Sequence, residues 1–143
     1  MSQYPRPTTE LTIPRARVET RFGRVLVVET NPAMAELAVL VLTKAGHEAF
    51  ATATAHDALT VSQQWHPDLV LLELSLPDFS GANLCRQLRR QAEVQVIASS
   101  LDSDPDEISA IYAAGACAYL PKPFRVSALL DRIHTCLGPT ARA

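Results

Sequence analysis

Residues 69–81 read LVLLELSLPDFSG and join a short apolar run to an acid and a turn. The run at 69–72 has the length and the composition of a buried strand. Glu73 follows it directly, and a turn runs from Pro77 to Gly81. A carboxylate is therefore expected where the strand leaves the sheet. In open parallel sheets, ligands bind at that edge.

Strand patterns alternate with helix patterns along the chain from Arg24 onward. The helical spacing is clearest where apolar residues recur between Met34 and Leu42, and again between Val126 and Ile133. This alternation predicts a doubly wound α/β domain, a parallel sheet with helices on both faces. The predicted strands are RVLVV at 24–28, HEAFA at 47–51, DLVLL at 68–72, VQVIAS at 94–99 and ACAYL at 116–120.

Local signals at the helix ends support this phasing. Asn31 and Asp104 each precede a proline, an order that places a capping side chain ahead of the first helical residue. Gly46 and Gly115 follow the first and fourth helical patterns and predict where those helices stop.

Length and composition favour one ordinary globular domain. The chain has 143 residues, 48% of them hydrophobic and 20% charged, with a net charge of -2. This charge predicts neither a nucleic-acid surface nor an acidic tail. We assign residues 23–138 to the domain, 1–22 to a flexible N-terminal arm and 139–143 to a C-terminal tail.

The cysteines indicate a reducing compartment. Cys85, Cys117 and Cys136 are odd in number and widely spaced, and they lack the paired spacing of a zinc site. They are predicted to be reduced core thiols of a cytoplasmic protein. The histidines are scattered and predict no metal site, and no apolar run approaches the roughly 18 residues of a membrane span.

Polar residues collect where the predicted strands end. Since the carboxyl ends of parallel strands share one edge, these side chains are expected to converge on one rim. They comprise Glu29 and Thr30 after the first strand, Glu73 after the third, Ser100 after the fourth, and Tyr119, Lys122 and Pro123 at the fifth.

Over about residues 24–138 the chain resembles the receiver domain of bacterial two-component response regulators. The stretches PDLVLLELSLPDFSG and AGACAYLPKPF look like that family's third-strand and fifth-strand motifs. The resemblance implies a (βα)5 flavodoxin-like sheet with strand order 2-1-3-4-5. It also implies a cis peptide bond between Lys122 and Pro123.

The resemblance assigns a role to each residue of the rim. In the family, an aspartate accepts a phosphoryl group while acids hold Mg²⁺ and a lysine and a hydroxyl contact the phosphate. Matched positions are Glu73 at the phosphoacceptor, Glu29 and Thr30 at the acidic pair, Ser100 and Lys122 at the phosphate contacts, and Tyr119 at the switch aromatic.

Three departures from the family pattern predict that the chemistry has lapsed. Glu73 is one methylene longer than aspartate, Thr30 replaces an acid, and Leu101 stands where the family has a small residue. The leading interpretation is a pseudo-receiver that is not an enzyme, binds no cofactor and little Mg²⁺, and acts by protein contact. Glu73 is expected to reach Lys122 or Ser100 in place of a phosphoryl oxygen.

Other interpretations stay open. Glu73 and Lys122 are alternatively a plain structural ion pair, or Glu73 or Asp78 accepts phosphate from a histidine kinase in a working phosphorelay. A flavin or small-molecule α/β protein is a third alternative. The expected partner is a protein, either a histidine kinase or an output protein, bound at the face of the fourth helix, fifth strand and fifth helix. A homodimer is a further alternative.

Overall fold

The computed structural model describes residues 22–102 and 104–138. Within these ranges, five strands alternate with five helices, and the strands form one parallel sheet in the order β2-β1-β3-β4-β5. The predicted (βα)5 fold and its strand order are confirmed. The elements are β1 Arg24–Val28, α1 Pro32–Lys44, β2 Glu48–Thr52, α2 Ala55–Trp65, β3 Leu69–Glu73, α3 Gly81–Gln91, β4 Gln95–Ser100, α4 Pro105–Ala113, β5 Ala118–Pro121 and α5 Val126–Leu137.

Two apolar layers enclose the sheet. Successive residues of β1 point to opposite faces, so that Leu26 packs in one layer and Val27 in the other. Helices α2, α3 and α4 cover the first face, and α1 and α5 cover the second. All five residues of β3 are buried, because this strand is central and covered on both sides.

The predicted caps are confirmed. Asn31 Oδ1 accepts hydrogen bonds from the backbone N–H groups of Ala33 and Met34 at 3.0 and 3.1 Å. Asp104 caps α4 in the same way through Asp106. These caps fix where α1 and α4 begin, and so they hold the preceding loops at the carboxyl edge of the sheet.

Four strands begin one or two residues later than the sequence pattern predicts. The shift matters for β3, which extends to Glu73 and pairs that residue with Ser99 of β4. The backbone of Glu73 is therefore part of the parallel ladder, and its side chain starts from a fixed position.

The prediction of three reduced thiols is wrong for two of them. Cys117, just before β5, forms a disulfide with Cys136 in the last turn of α5, across a Cα–Cα distance of 6.1 Å. Their separation of 19 residues gave no sign of this, because only the packing of α5 on the sheet brings them together. Cys85 is free and buried, as predicted.

The boundary predictions fall mostly on residues beyond the described part of the chain. The arm assigned to 1–22 lies outside it except for Phe22, and so does the tail at 139–143. None of the helices within 22–102 and 104–138 has the length and apolar character needed to cross a membrane.

Candidate functional site

A cleft of about 510 Å³ opens at the carboxyl ends of β1, β3, β4 and β5. Most of the residues predicted for the site line it, whereas Tyr119 is joined to it through the Ser100 carbonyl. The lining residues include Glu29, Thr30, Glu73, Ser100, Leu101, Asp102, Lys122 and Pro123. The Lys122–Pro123 peptide bond is cis, as the resemblance predicts.

The ammonium group of Lys122 lies between two carboxylates. Its Nζ donates a hydrogen bond to Glu29 Oε1 at 2.6 Å and another to Glu73 Oε1. The exposed fractions of the three side chains are 9% for Lys122, 10% for Glu29 and 7% for Glu73. One buried cation thus binds two buried anions, and we call these three residues the charged triad.

Each carboxylate of the triad is also fixed by its own loop. Glu29 Oε2 accepts the backbone N–H of Asn31 at 3.0 Å, and Glu73 Oε2 accepts that of Ser75 at 2.8 Å. Both strand ends therefore use the same arrangement, in which the acid binds the amide two residues further on. With one oxygen on Lys122 and the other on the backbone, neither carboxylate is free to turn.

The electrostatics of the triad favour a charged lysine. Burial alone would lower the pKa of Lys122, but the hydrogen bonds to Glu29 and Glu73 and the negative charge of both groups raise this pKa above its ordinary value. Lys122 is accordingly protonated throughout the neutral range.

Within the described residues, the Ser100 hydroxyl makes no hydrogen bond to Glu73. Its hydroxyl accepts the N–H of Asp102 at 2.9 Å and donates to the carbonyl of the same residue at 3.1 Å. The Ser100 carbonyl in turn accepts the backbone N–H of Lys122 at 2.9 Å. Of the two partners predicted for Glu73, the side chain reaches Lys122, and Ser100 instead orders the start of the β4–α4 loop.

Tyr119 connects this loop to the adjoining helix. Its hydroxyl donates to the carbonyls of Asp102 at 3.0 Å and Ser100 at 3.3 Å, and its backbone N–H is bound by the hydroxyl of Tyr112 on α4 at 3.0 Å. A continuous set of hydrogen bonds therefore runs from the cleft to α4 and β5.

The remaining predicted residues stand apart from the triad. Thr30 is exposed at the mouth of the cleft, and Leu101 is 78% exposed on its rim. Asp78 accepts the first two backbone N–H groups of α2, from Ala55 at 3.0 Å and His56 at 3.1 Å. The hydrogen bond from Ala55 first, and then that from His56, lower the pKa of Asp78. Asp78 thus binds free N–H groups at the start of α2.

Sequence reasoning missed the residues that hold the triad and the loop. Asn31 and Ser75 act through their backbone amides, and Asp102 acts through its carbonyl and amide. Glu107 was also missed: burial first, and then the negative charges of nearby acids that include Glu73, raise the pKa of this residue. Asn31, Ser75 and Asp102 each lie two positions after a strand-end acid or hydroxyl, but this spacing alone does not predict a backbone hydrogen bond.

Comparison with known proteins identifies the class. A family model described as the response regulator receiver domain matches residues 25–134. The chain belongs to this family. The matched residues include every strand end that lines the cleft.

Two curated relatives come from Mycolicibacterium smegmatis. The DNA-binding response regulator MtrA is 32% identical over 120 residues, which cover 84% of this chain and 53% of that protein. The sensory transduction protein RegX3 is 35% identical over 114 residues, 79% of this chain and 50% of that protein. The chain spans about half the length of these relatives.

Solved structures agree. A CheY-like receiver domain protein from Methanospirillum hungatei JF-1 superposes with a TM-score of 0.78 at 25% identity, covering 82% of this chain and 94% of that one. The BeF3-activated N-terminal receiver domain of Klebsiella pneumoniae RstA gives a TM-score of 0.74 at 30% identity, covering 80% and 97%. The chain is thus a response regulator receiver domain of two-component signalling.

Proposed function

We propose that this chain is an atypical receiver, a pseudo-receiver that signals by protein contact with little or no phosphorylation of Glu73. The observation that carries the proposal is the charged triad, in which Lys122 is bound by Glu29 and Glu73 together. In phosphoryl transfer to a carboxylate, the nucleophile needs a free oxygen and the lysine needs to pair with the phosphoryl group. Here the carboxylate of Glu73 and the ammonium group of Lys122 are already bound to each other.

The length of Glu73 supports the same proposal. Its extra methylene moves the carboxylate by roughly 1.5 Å relative to aspartate, and a misplacement of about 1 Å can lower a rate about a hundredfold. The hydrogen bond from Ser75 fixes the displaced carboxylate against the loop. Attack on an incoming phosphoryl group would have to break this bond and the bond to Lys122.

The donor set does not suit Mg²⁺. The ion prefers near-octahedral oxygen ligands and sheds its water reluctantly. Thr30 offers no charge, and the oxygens of Glu29 and Glu73 already accept hydrogen bonds from Lys122 and the backbone. We therefore assign no metal-dependent step to this site.

In place of phosphate, Glu73 would hold the site in one fixed state. A phosphoryl group carries nearly two charges and three acceptor oxygens, whereas a carboxylate carries one charge and two oxygens. The second carboxylate, Glu29, adds to the charge that Lys122 meets. The positive charge of Lys122 is therefore balanced by carboxylates without a phosphoryl group.

The proposed output surface is the α4–β5–α5 face, which comprises α4, β5 and α5. Tyr119 joins it to the cleft through Asp102, and Tyr112 and Val126 expose 47% and 51% of their surface there. Arg125 and Arg132 add exposed positive charge. A histidine kinase or an output protein with a partly apolar, acidic surface fits this face, and a second copy of the chain is the alternative occupant.

Intact mass tests the central claim. The protein is incubated with a small-molecule phosphodonor and Mg²⁺, and we expect no gain of a phosphoryl mass. A stable gain that maps to Glu73 or Asp78 would favour the alternative function, a working phosphorelay regulator. The double variant Glu73→Asp with Thr30→Asp is expected to bind Mg²⁺ more tightly than the wild type and to respond to the phosphodonor.

Partner binding tests the role of Glu73. The variant Glu73→Gln removes the charge but keeps the shape, and we expect it to loosen the cleft and weaken association with the cognate partner. Glu36→Gln, on the exposed side of α1, is the matched control and should change nothing. If Glu73→Gln binds the partner as tightly as the wild type, Glu73 is an ordinary strand-end carboxylate. Reversing the charge of Arg125 or Arg132 tests the face itself.

A further inference from the structure

A covalent bridge lies at the end of the sheet opposite the charged triad. Cys117 precedes the first residue of β5 and is exposed, whereas Cys136 lies in the last turn of α5 and is 8% exposed. The backbone of Cys117 is held by β4, since its N–H donates to the Val96 carbonyl at 2.7 Å. The bridge thus ties a helix end to a fixed point of the sheet.

A second cleft, of about 490 Å³, runs beside this bridge. Cys136 lines it together with Leu137, and its other walls come from the end of α3, the loop between α3 and β4, the start of β4 and Asp68 ahead of β3. Polar and charged side chains dominate the lining: Asp68, Arg89, Glu93 and Gln95. Water and small polar molecules can therefore reach the bridge from the cleft and from the exposed side of Cys117.

We propose that the Cys117–Cys136 disulfide is a redox-modification site that exchanges with a dithiol reductant while the protein stays folded. The exposure of Cys117 and the cleft that Cys136 lines carry this inference. A buried structural disulfide is reduced only when the protein unfolds, whereas one with an exposed cysteine and an adjoining cleft is open to a thiolate in the native state. The inference does not rest on the proposed function, because the bridge lies at the other end of the strands.

The exchange has two steps. A thiolate of the dithiol attacks Sγ of Cys117, the exposed residue of the pair, and forms a mixed disulfide with it. The bond to Cys136 breaks, and Cys136 Sγ leaves with the electron pair and takes a proton. The second thiol of the reductant then attacks the mixed disulfide and releases Cys117 as a thiol. The reductant becomes a disulfide, and two electrons and two protons have moved to the protein.

Reduction frees the last turn of α5. Leu137 keeps this turn on the core, and the N–H of Gly138 binds the carbonyl of His134 at 2.9 Å, but the bridge is the covalent link from the turn to β5. We therefore expect residues 134–138 to become more mobile when the disulfide is reduced.

The test measures native reduction. The protein is incubated with increasing dithiothreitol, quenched by alkylation and mapped by peptide mass, while circular dichroism confirms that it stays folded. We expect the rate of reduction to rise in proportion to the dithiothreitol concentration. A rate that levels off at the rate of global unfolding, or a purified chain whose three thiols are all free and form no bridge with oxidised dithiothreitol, would overturn the proposal.

Hydrogen exchange supplies a second measurement, which starts from the wild type. Reduction of the wild type is expected to speed amide exchange at 134–138 by about tenfold or more, while exchange in α1 stays unchanged. Cys117→Ser should show the fast exchange without reductant and no further change with it. Equal protection of the last turn in the oxidised and reduced protein would show that the bridge does not control α5.

Discussion

The two ends of the parallel sheet are closed in different ways. At the carboxyl ends, Lys122 binds two carboxylates that leave neighbouring strands. At the amino ends, the Cys117–Cys136 disulfide lies before β5 and the buried His47 lies before β2. The first closure depends on charge, so that a single neutral substitution leaves the opposite charges unpaired. The second depends on a covalent bond and on packing, so that it responds to reductants and to acid.

The largest effect is expected from removing the lysine of the charged triad. Lys122→Met leaves Glu29 and Glu73 as two buried carboxylates without a counter-charge. Breaking a buried ion pair by removing one partner costs about 3–5 kcal/mol. We expect a loss of this size in the free energy of unfolding at neutral pH, measured by urea titration.

The control for this variant is Lys44→Met. Lys44 is exposed in the last turn of α1, where its interaction with the helix dipole contributes about 1 kcal/mol or less. Adding Glu73→Gln to Lys122→Met should restore part of the lost stability. If Lys122→Met is no less stable than Lys44→Met, the triad does not hold the carboxyl end closed.

The next effect concerns the opposite end. The disulfide closes a loop with a sequence separation of 19 residues. The loop-closure entropy of such a bridge corresponds to about 3 kcal/mol. Cys117→Ser should lower the free energy of unfolding by about this amount under oxidising conditions. Under reducing conditions, the wild type and the variant should unfold at the same urea concentration, and a wild type indifferent to reductant would contradict the prediction.

The carboxyl end was predictable from sequence because its residues follow strands directly. Strand periodicity places Glu29 and Glu73 at one edge, and parallel pairing then brings them near Lys122. The same reasoning could not give the backbone amides of Asn31 and Ser75 as partners, since any residue supplies an amide. It also could not tell that Lys122 binds both acids at once.

The amino end was not predictable in the same way. Cys117 and Cys136 meet because α5 crosses the sheet and ends beside the start of β5, and this crossing depends on core packing. Counting cysteines therefore gave the wrong redox state for two of them. The position of Cys85 was simpler, because it belongs to the apolar stripe of α3 with Leu84 and Leu88.

A smaller effect tests the link between the cleft and the α4–β5–α5 face. Tyr119→Phe removes the hydroxyl that donates to Asp102 and Ser100. The loss of a hydrogen bond of this kind costs about 0.5–1.5 kcal/mol. We expect the β4–α4 loop to exchange its amides faster, while exchange around Glu29 stays unchanged. Tyr112→Phe, which removes the acceptor for the Tyr119 N–H, is the companion variant. Unchanged loop exchange in Tyr119→Phe would mean that the hydroxyl does not order the loop.

The smallest effect is a pH dependence at the amino end. His47 is 3% exposed, and its Nδ1 accepts the N–H of Gly23 at 3.2 Å. Burial first, and then the charge of His134, whose ring lies 6.1 Å away, lower the pKa of His47 below the ordinary value of 6.5. Below about pH 6.5 the unfolded chain therefore binds this proton more readily than the folded chain does, so that stability should fall as the pH drops through that window.

The pH effect is isolated by substituting His47 itself. His47→Asn keeps a side-chain acceptor for Gly23 but does not titrate, and so it should lose less stability than the wild type between about pH 7.5 and pH 5. His134→Gln removes the neighbouring charge and should move the pKa of His47, followed by nuclear magnetic resonance, part of the way back toward 6.5, because burial remains. A wild type and a His47→Asn variant with parallel pH profiles would show that the amino end is closed by packing and the disulfide alone. In that case, protonation of His47 would make no contribution to the difference between the two ends of the sheet.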